Sequence, residues 1–390
     1  MFKVEKRIID YLKKNYILVF MIIISILALL VRIVPIKFQS DDYIYFLSPW
    51  FKDLLSKGGL AGLGSYIGNY NAPYMTIMAL LTYLPINSLF TIKAISIIFD
   101  FVLAISASHL VTLLVKNNKK IYSLITYSLV LFLPQVILNS AMWGQCDSIY
   151  ASFSIIALIF LLKEKYWQSF VFLGISFAFK LQFIFILPVF IIIYVCKNKF
   201  SILHFLIIPL VNIIMCLPAI IMGKPIIELL KVYFNQTSIS TALVRNYPNI
   251  YNFFNGDIVA FKYIGIIMTI VIFVLMLFYF IYKKVNWNKD KIITLSLLVL
   301  VIISYTLPGM HERYLYVGEV LSIVYYLVYR KNLPLVIIIN LNAIITYSMY
   351  LTYYTTNLMP VLSIVYGIIV IYFARDALKY IVDSKELKNE

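Results

Sequence analysis

From about residue 17 to residue 374, apolar runs follow one another along the chain, parted by short clusters of lysine and arginine. Many approach the about 20 residues that a helix needs to cross a bilayer. A chain so patterned cannot bury its apolar surface in one water-shielded core. Most of that surface must face lipid or other helices. Composition agrees: 63% of the 390 residues are hydrophobic and 13% charged, against about half and a quarter in soluble domains. The mean hydropathy is +0.93. The expected fold is all-α, a polytopic transmembrane helical bundle forming a single domain over 1–390.

The net charge of +16 would suit a nucleic-acid binder, but the cations sit in the short breaks between apolar runs. That is the positive-inside pattern of membrane loops, and it argues against nucleic acid. The clusters lie at 3–14, 116–120, 163–165, 197–199, 283–291, 330–331 and from Arg375 onward. Placing all of them in the cytoplasm predicts spans at 17–34, 89–115, 120–138, 148–162, 166–179, 182–196, 200–222, 258–282, 292–308, 314–329, 334–350 and 358–374. That makes about twelve crossings with both termini inside. A re-entrant or interfacial helix is expected at 73–85. Outer loops fall at about 36–71 and 223–256, and a cytoplasmic tail at 375–390. The first apolar run is longer than a signal-peptide core and no small-residue cleavage site follows it, so it reads as an uncleaved helix.

Cys146, Cys196 and Cys216 show no CxxC spacing, which speaks against a zinc site and a disulfide framework. With His109, His204 and His311 the only histidines, no multi-histidine metal site is expected. No repeat of 20–50 residues and no inverted hydropathy repeat stands out, which weighs against a secondary transporter.

On this topology the unusual polar residues collect at outer helix ends. Ser40-Asp41-Asp42-Tyr43 places two adjacent carboxylates beside the first helix. They could serve as a general base or hold a divalent cation; the alternative is an N-cap for an amphipathic helix at 43–55. Asn69-Tyr70-Asn71-Ala72-Pro73-Tyr74 reads as a capped helix start. In the segment 139–148, Trp143 offers a flat apolar face, Gly144 lets a ligand approach the backbone, and Gln145 and Asp147 supply the donors and acceptors that hydroxyl-rich ligands need. The plainer reading there is an interfacial Trp with a helix cap. His311-Glu312-Arg313-Tyr314 is expected to open a helix, whose N-terminus attracts anions while Arg313 grips a phosphate. It is not a zinc-protease HExxH, because Leu315 stands at the second His position. Lys180 and Gln182 interrupt an apolar hairpin, and Lys180 has no evident partner. Lys93 and Asp100, seven residues apart, share a helix face and are expected to pair.

Taken together and in order, SDDYIYFLSPWF, NYNAPY, NSAMWGQCDSIYASF, FAFKLQ, YPNIYNFF and MHERYLY resemble the bacterial membrane mannosyltransferase-like family. That family is related to the enzyme adding the second mannose of GPI anchors, within the multi-spanning glycosyltransferases of GT-C fold. The resemblance runs from about Ser40 to Tyr350. It implies a polyprenyl-phosphate hexose donor, and a catalytic acidic residue in the first outer loop that Asp42 matches. Asp41 stands where the family has Gly, and Ala72 replaces the first of its paired prolines. It further implies no required metal, though Asp41 and Asp42 keep a divalent cation open.

The expected function is hexosyl transfer on the outer face, from a lipid-phosphate sugar to a cell-surface glycan or lipid-linked acceptor, with inversion. Asp42 is the expected base, with Asp41 beside it. Lys180, His311 and Arg313 are the expected phosphate partners. Trp143, Gln145 and Asp147 are expected to hold sugar or acceptor, with Gln182, Glu312 and Tyr314 lining the site. The rival reading is a transporter or flippase of lipid-linked sugars.

Overall fold

The computed structural model describes residues 3–238, 242–254, 256–354 and 357–383. The chain is helical almost throughout. The basic amphipathic helix α1 (Lys3–Lys14) breaks at Asn15, and α2 (Tyr16–Ile33) carries the first apolar run. The chain then turns through 34–37 into a π-helical turn (Tyr43–Leu47) and α3 (Ser48–Ser56), started by Pro49. Helix α4 (Ala72–Leu81) is capped by Asn71, whose side chain accepts from the Ala72 amide. At 10 residues it is about 15 Å long, too short to cross a bilayer. Asn87 caps α5 (Ser88–Leu114) in the same way.

Helix α6 (Lys119–Phe132) stops at Leu133, held extended because Pro134 follows it. Helix α7 (Pro134–Ile137) restarts at an angle of 54° and runs through a π-helical turn to Trp143. The rest follows as α8 (Asp147–Leu162), α9 (Tyr166–Phe179), α10 (Leu187–Lys197), α11 (Ile207–Ile221), α12 (Ile226–Ser238), α13 (Ile258–Tyr282), α14 (Lys289–Thr306), α15 (Tyr316–Tyr329), α16 (Leu333–Thr352) and α17 (Met359–Val382). Two residue pairs, Val244–Arg245 and Met310–His311, form a minimal parallel strand pair.

Among the described residues, six helices are long and apolar enough to cross a membrane: α2, α5, α11 with the short turn before it, α13, α16 and α17. The bent α6–α7 pair makes a seventh if it is one crossing. Helices α2, α11 and α13 expose rows of large apolar side chains, Leu18, Ile22, Leu210, Ile267, Val271 and Leu275 among them. Contiguous apolar surface on that scale is not left in water, so this is a helical membrane protein. Helices α8 and α14 lie inside, wrapped by their neighbours, and are buried along nearly their whole length.

Two sequence expectations are corrected. Asp100 does not pair with Lys93. Its partner is Arg32 of α2, Nε to Oδ2 at 2.9 Å, both side chains fully enclosed. Lys93 instead donates to the carbonyls of Pro35, Ile36 and Phe38, at 3.4, 3.0 and 2.6 Å, and so pins the turn leading to Asp42. Arg375 begins no tail, because α17 continues to Val382 and Asp376 accepts from Asn332 Nδ2 at 2.9 Å. Residues 384–390 of the expected tail lie outside the described residues, as do 239–241 and 255 of the expected outer loop.

A carboxylate cluster at one end of the bundle

The site is built where α2, α5, α8, α9, α15 and α16 end or begin together. Ser40 takes the capping role in the first loop: its Oγ accepts from the Tyr43 amide at 3.2 Å and donates to the Trp143 carbonyl at 2.7 Å. Asp42 makes no side-chain cap, so its carboxylate is left for other partners. Oδ2 accepts from Trp143 Nε1 at 2.8 Å and from Gln145 Nε2. Oδ1 accepts from the Tyr350 hydroxyl at 3.0 Å. The Asp42 side chain stays 18% exposed. Asp41 points elsewhere, accepting from the Tyr353 hydroxyl at 2.5 Å on the exposed rim.

Trp143 stacks on Tyr350, ring centres 4.2 Å apart, and meets Tyr347 edge-on at 5.4 Å. Gln145 is oriented by Tyr70, whose hydroxyl donates to Oε1 at 3.0 Å. That leaves the Gln145 amide nitrogen for Asp42, and the bond fixes which way the amide is turned. Gly144 between them has φ +81°, a left-handed conformation that lets Trp143 and Gln145 converge on one carboxylate.

Asp147 opens α8 but caps nothing. Its Oδ1 takes the ammonium of Lys180 and its Oδ2 accepts from Asn139 Nδ2 at 2.8 Å. The expectation of an unpartnered Lys180 is therefore wrong: both side chains are buried and ion-paired. Gln182, on the turn after Lys180, meets the Tyr314 hydroxyl.

The His311–Tyr314 segment is not a helix start. Met310 and His311 sit in the strand pair, a turn follows, and α15 begins only at Tyr316. The helix-terminus argument for an anion site there lapses. Arg313 nonetheless lies at the centre of the cluster. Its guanidinium sits over the Trp143 ring at 4.9 Å. The nearest carboxylate oxygens are those of Glu312 at 3.5 Å, Asp147 at 3.6 Å and Asp42 at 3.9 Å. All three exceed hydrogen-bond length, and the buried Nε has no hydrogen-bond partner among the described residues.

Electrostatics sorts the remaining groups. Burial opposes the charge of Arg313, but Asp42, Tyr70, Asp147 and Glu312 outweigh it and hold the guanidinium charged. Burial pushes Glu312 up to about 7, against the pull of Arg313. Burial, then Arg313, Arg245 and Lys180, push His311 down to about 3, so it is neutral at physiological pH. His311, its ring tilted 35° against that of Tyr314 with centres 4.8 Å apart, is not the cation the sequence suggested. Among the described residues no group of three or more His, Cys, Asp and Glu is arranged to hold a metal ion.

The structure thus brings together Asp42, Trp143, Gln145, Asp147, Lys180 and Arg313, with Glu312 beside them and Asp41 at the rim. Tyr350 and Asn139 were not anticipated as site residues. Tyr350 carried a readable sign, standing three residues after Tyr347 on the same face of α16. No protein-family model matches the chain, and no curated protein matches it. Chemically, a fixed, partly exposed carboxylate beside a cation whose buried Nε has no hydrogen-bond partner among the described residues suits proton acceptance next to a developing negative charge.

Proposed function

We propose that this protein is a membrane glycosyltransferase of the GT-C type, similar to the bacterial mannosyltransferase-like family. It moves a hexose from a polyprenyl-phosphate donor to a cell-surface glycan or lipid-linked acceptor on the outer face. Asp42 takes the proton of the acceptor hydroxyl as that oxygen bonds to the anomeric carbon. The anomeric carbon–oxygen bond breaks, and the electron pair leaves with the lipid phosphate, inverting the configuration. Arg313 offsets the charge gathering on the phosphate, while Lys180 is already neutralised by Asp147 and orders the site. Trp143, Gln145 and Tyr350 hold Asp42 in place; the Trp143 ring, expected to face a sugar, is instead wholly buried, with Tyr350 stacked on it and Arg313 over it.

The observation that carries this reading is the Asp42 carboxylate, gripped by three donors from two separate parts of the chain yet still open toward Arg313 and solvent. Counting the six long helices, the bent α6–α7 pair, α8, α9, residues 181–197, α14 and α15 gives about twelve crossings. The short ones are tolerable because their irregular ends are buried in protein and not in lipid.

The test is purified protein with a polyprenyl-phosphate hexose and candidate acceptors, comparing wild type with Asp42→Asn. Asn keeps the size of the side chain but cannot take the proton, so transfer is expected to fall about 10²–10⁴-fold. Near-full turnover by folded Asp42→Asn would sink the assignment.

A further inference from the structure

Beneath the site lies a second buried carboxylate that the proposed chemistry does not use. Asp100, midway along α5, is wholly enclosed. Arg32 Nε donates to its Oδ2 at 2.9 Å, and the other two guanidinium nitrogens donate to the carbonyls of Ala28 and Leu131, each at 3.0 Å. The same carboxylate takes two serines: Ser140 Oγ reaches Oδ2 at 2.5 Å and Ser148 Oγ reaches Oδ1. Ser148 Oγ also lies 2.9 Å from the Tyr316 hydroxyl. Every polar group in this knot has a partner. An ion pair inside a membrane is costly and is usually retained for a purpose. Stapling α2 to α5 requires only Arg32 and Asp100. The serines do something more, because they stand at the two ends of the segment that carries Trp143, Gln145 and Asp147.

We propose that the Arg32–Asp100 pair acts as an intramembrane lock on the 140–148 segment, with Asp100 a positioning residue that holds both ends of that segment through Ser140 and Ser148. The lock sets where the Trp143 and Gln145 donors sit, and through them the orientation of the Asp42 carboxylate. Its effect on turnover rests on the transferase reading; its hold on the segment does not.

Cys146 lies inside the locked segment and is 1% exposed, while Cys216, in α11, is 2% exposed and outside it. Burial pushes the Cys146 thiol up to about 11, so it reacts slowly with maleimide until uncovered. The experiment compares maleimide labelling of the full-length, detergent-purified protein with that of the Ser140→Ala/Ser148→Ala variant, which leaves the ion pair intact. Ser304→Ala, which removes a buried serine hydroxyl bonded to Tyr366 at 2.6 Å, serves as control. The expected result is labelling of Cys146 faster by about tenfold or more through local opening, with Cys216 still protected and the control unchanged. Cys146 staying as protected as in wild type would overturn the lock. Cys146 and Cys216 becoming reactive together would also overturn it, since the knot would then be a general staple of the fold. Where transfer is measurable, kcat of the double-serine variant should drop about 10²-fold from misplacement while KM for the donor holds; unchanged kcat would overturn the catalytic half. Selective Cys146 exposure in a protein whose wild type transfers no sugar would keep the lock and remove the transferase reading.

Discussion

Asp41 and Asp42 are neighbours in sequence with opposite surroundings. Asp42 faces Trp143, Gln145, Tyr350 and Arg313, whereas Asp41, among the described residues, meets only the rim hydroxyl of Tyr353. Glu312 completes the acidic set around Arg313 and titrates differently from an exposed carboxylate. Its pKa is raised from 4.5 to about 7, chiefly by burial. The folded state therefore holds this proton more tightly than the unfolded chain does. The resulting stability is fully present below the unfolded value and is lost as pH rises through the folded one. For a shift of this direction and size the loss is on the order of 1–3 kcal/mol. The melting temperature of the wild type should therefore fall between about pH 5 and pH 8, and Glu312→Gln, which cannot ionise, should flatten that fall. An undiminished pH slope in Glu312→Gln would show that Glu312 keeps an ordinary pKa. Little of this was readable in advance. HERY announced a charged site, but that His311 is neutral and Lys180 neutralised depends on burial and on Asp147, 33 residues from Lys180. Arg32 was the more legible omission, a lone cation within the first apolar run.

At the level of elements, the reading succeeded where hydropathy alone sets the ends. The expected segments at 166–179 and 258–282 coincide with α9 and α13. It failed where local chemistry interrupts a run. The expected span at 120–138 is broken at Leu133, and Pro134 was there to be read. The helix expected at 43–55 is present, but its first five residues, Tyr43–Leu47, are π-helical and run on into α3, a detail that tertiary packing sets and periodicity does not. The element that matters most to the site is the tight passage from α7 into α8 at Gly144. A Cβ there would meet Lys93 Cγ no closer than 3.6 Å, so a methyl has room, and the cost lies in the backbone. Forcing an L side chain into φ +81° costs about 1–2 kcal/mol. Gly144→Ala should lower thermal stability by about that much, and Gly144→Asn, which tolerates the left-handed region better, should lose less. Equal stability of Gly144→Ala and wild type would mean that the turn relaxes without strain.

Across the whole molecule, the polar cluster and the basic clusters that part the apolar runs lie at opposite helix ends. Helix α2 leads away from Lys13 and Lys14 toward Asp42. Helix α5 starts beside the turn held by Lys93 and runs toward Lys116. Helix α8 starts at Asp147 and ends at Lys163, and α9 returns to Lys180 in the site. If the lysine-rich ends face the cytoplasm, the site faces out, where nucleotide-activated sugars are absent and a lipid-borne donor is the chemical answer. Single cysteines test the premise in intact cells, in a Cys196→Ala background that removes the least buried native thiol. Ser65 and Asn117 are both exposed, one at the site end and one at the basic end. Ser65→Cys should react with an impermeant maleimide from outside, and Asn117→Cys only after the membrane is opened. The reverse pattern would put Asp42 on the cytoplasmic side, and with it would go the reason for a polyprenyl-phosphate donor, since a soluble nucleotide sugar could then reach the site directly.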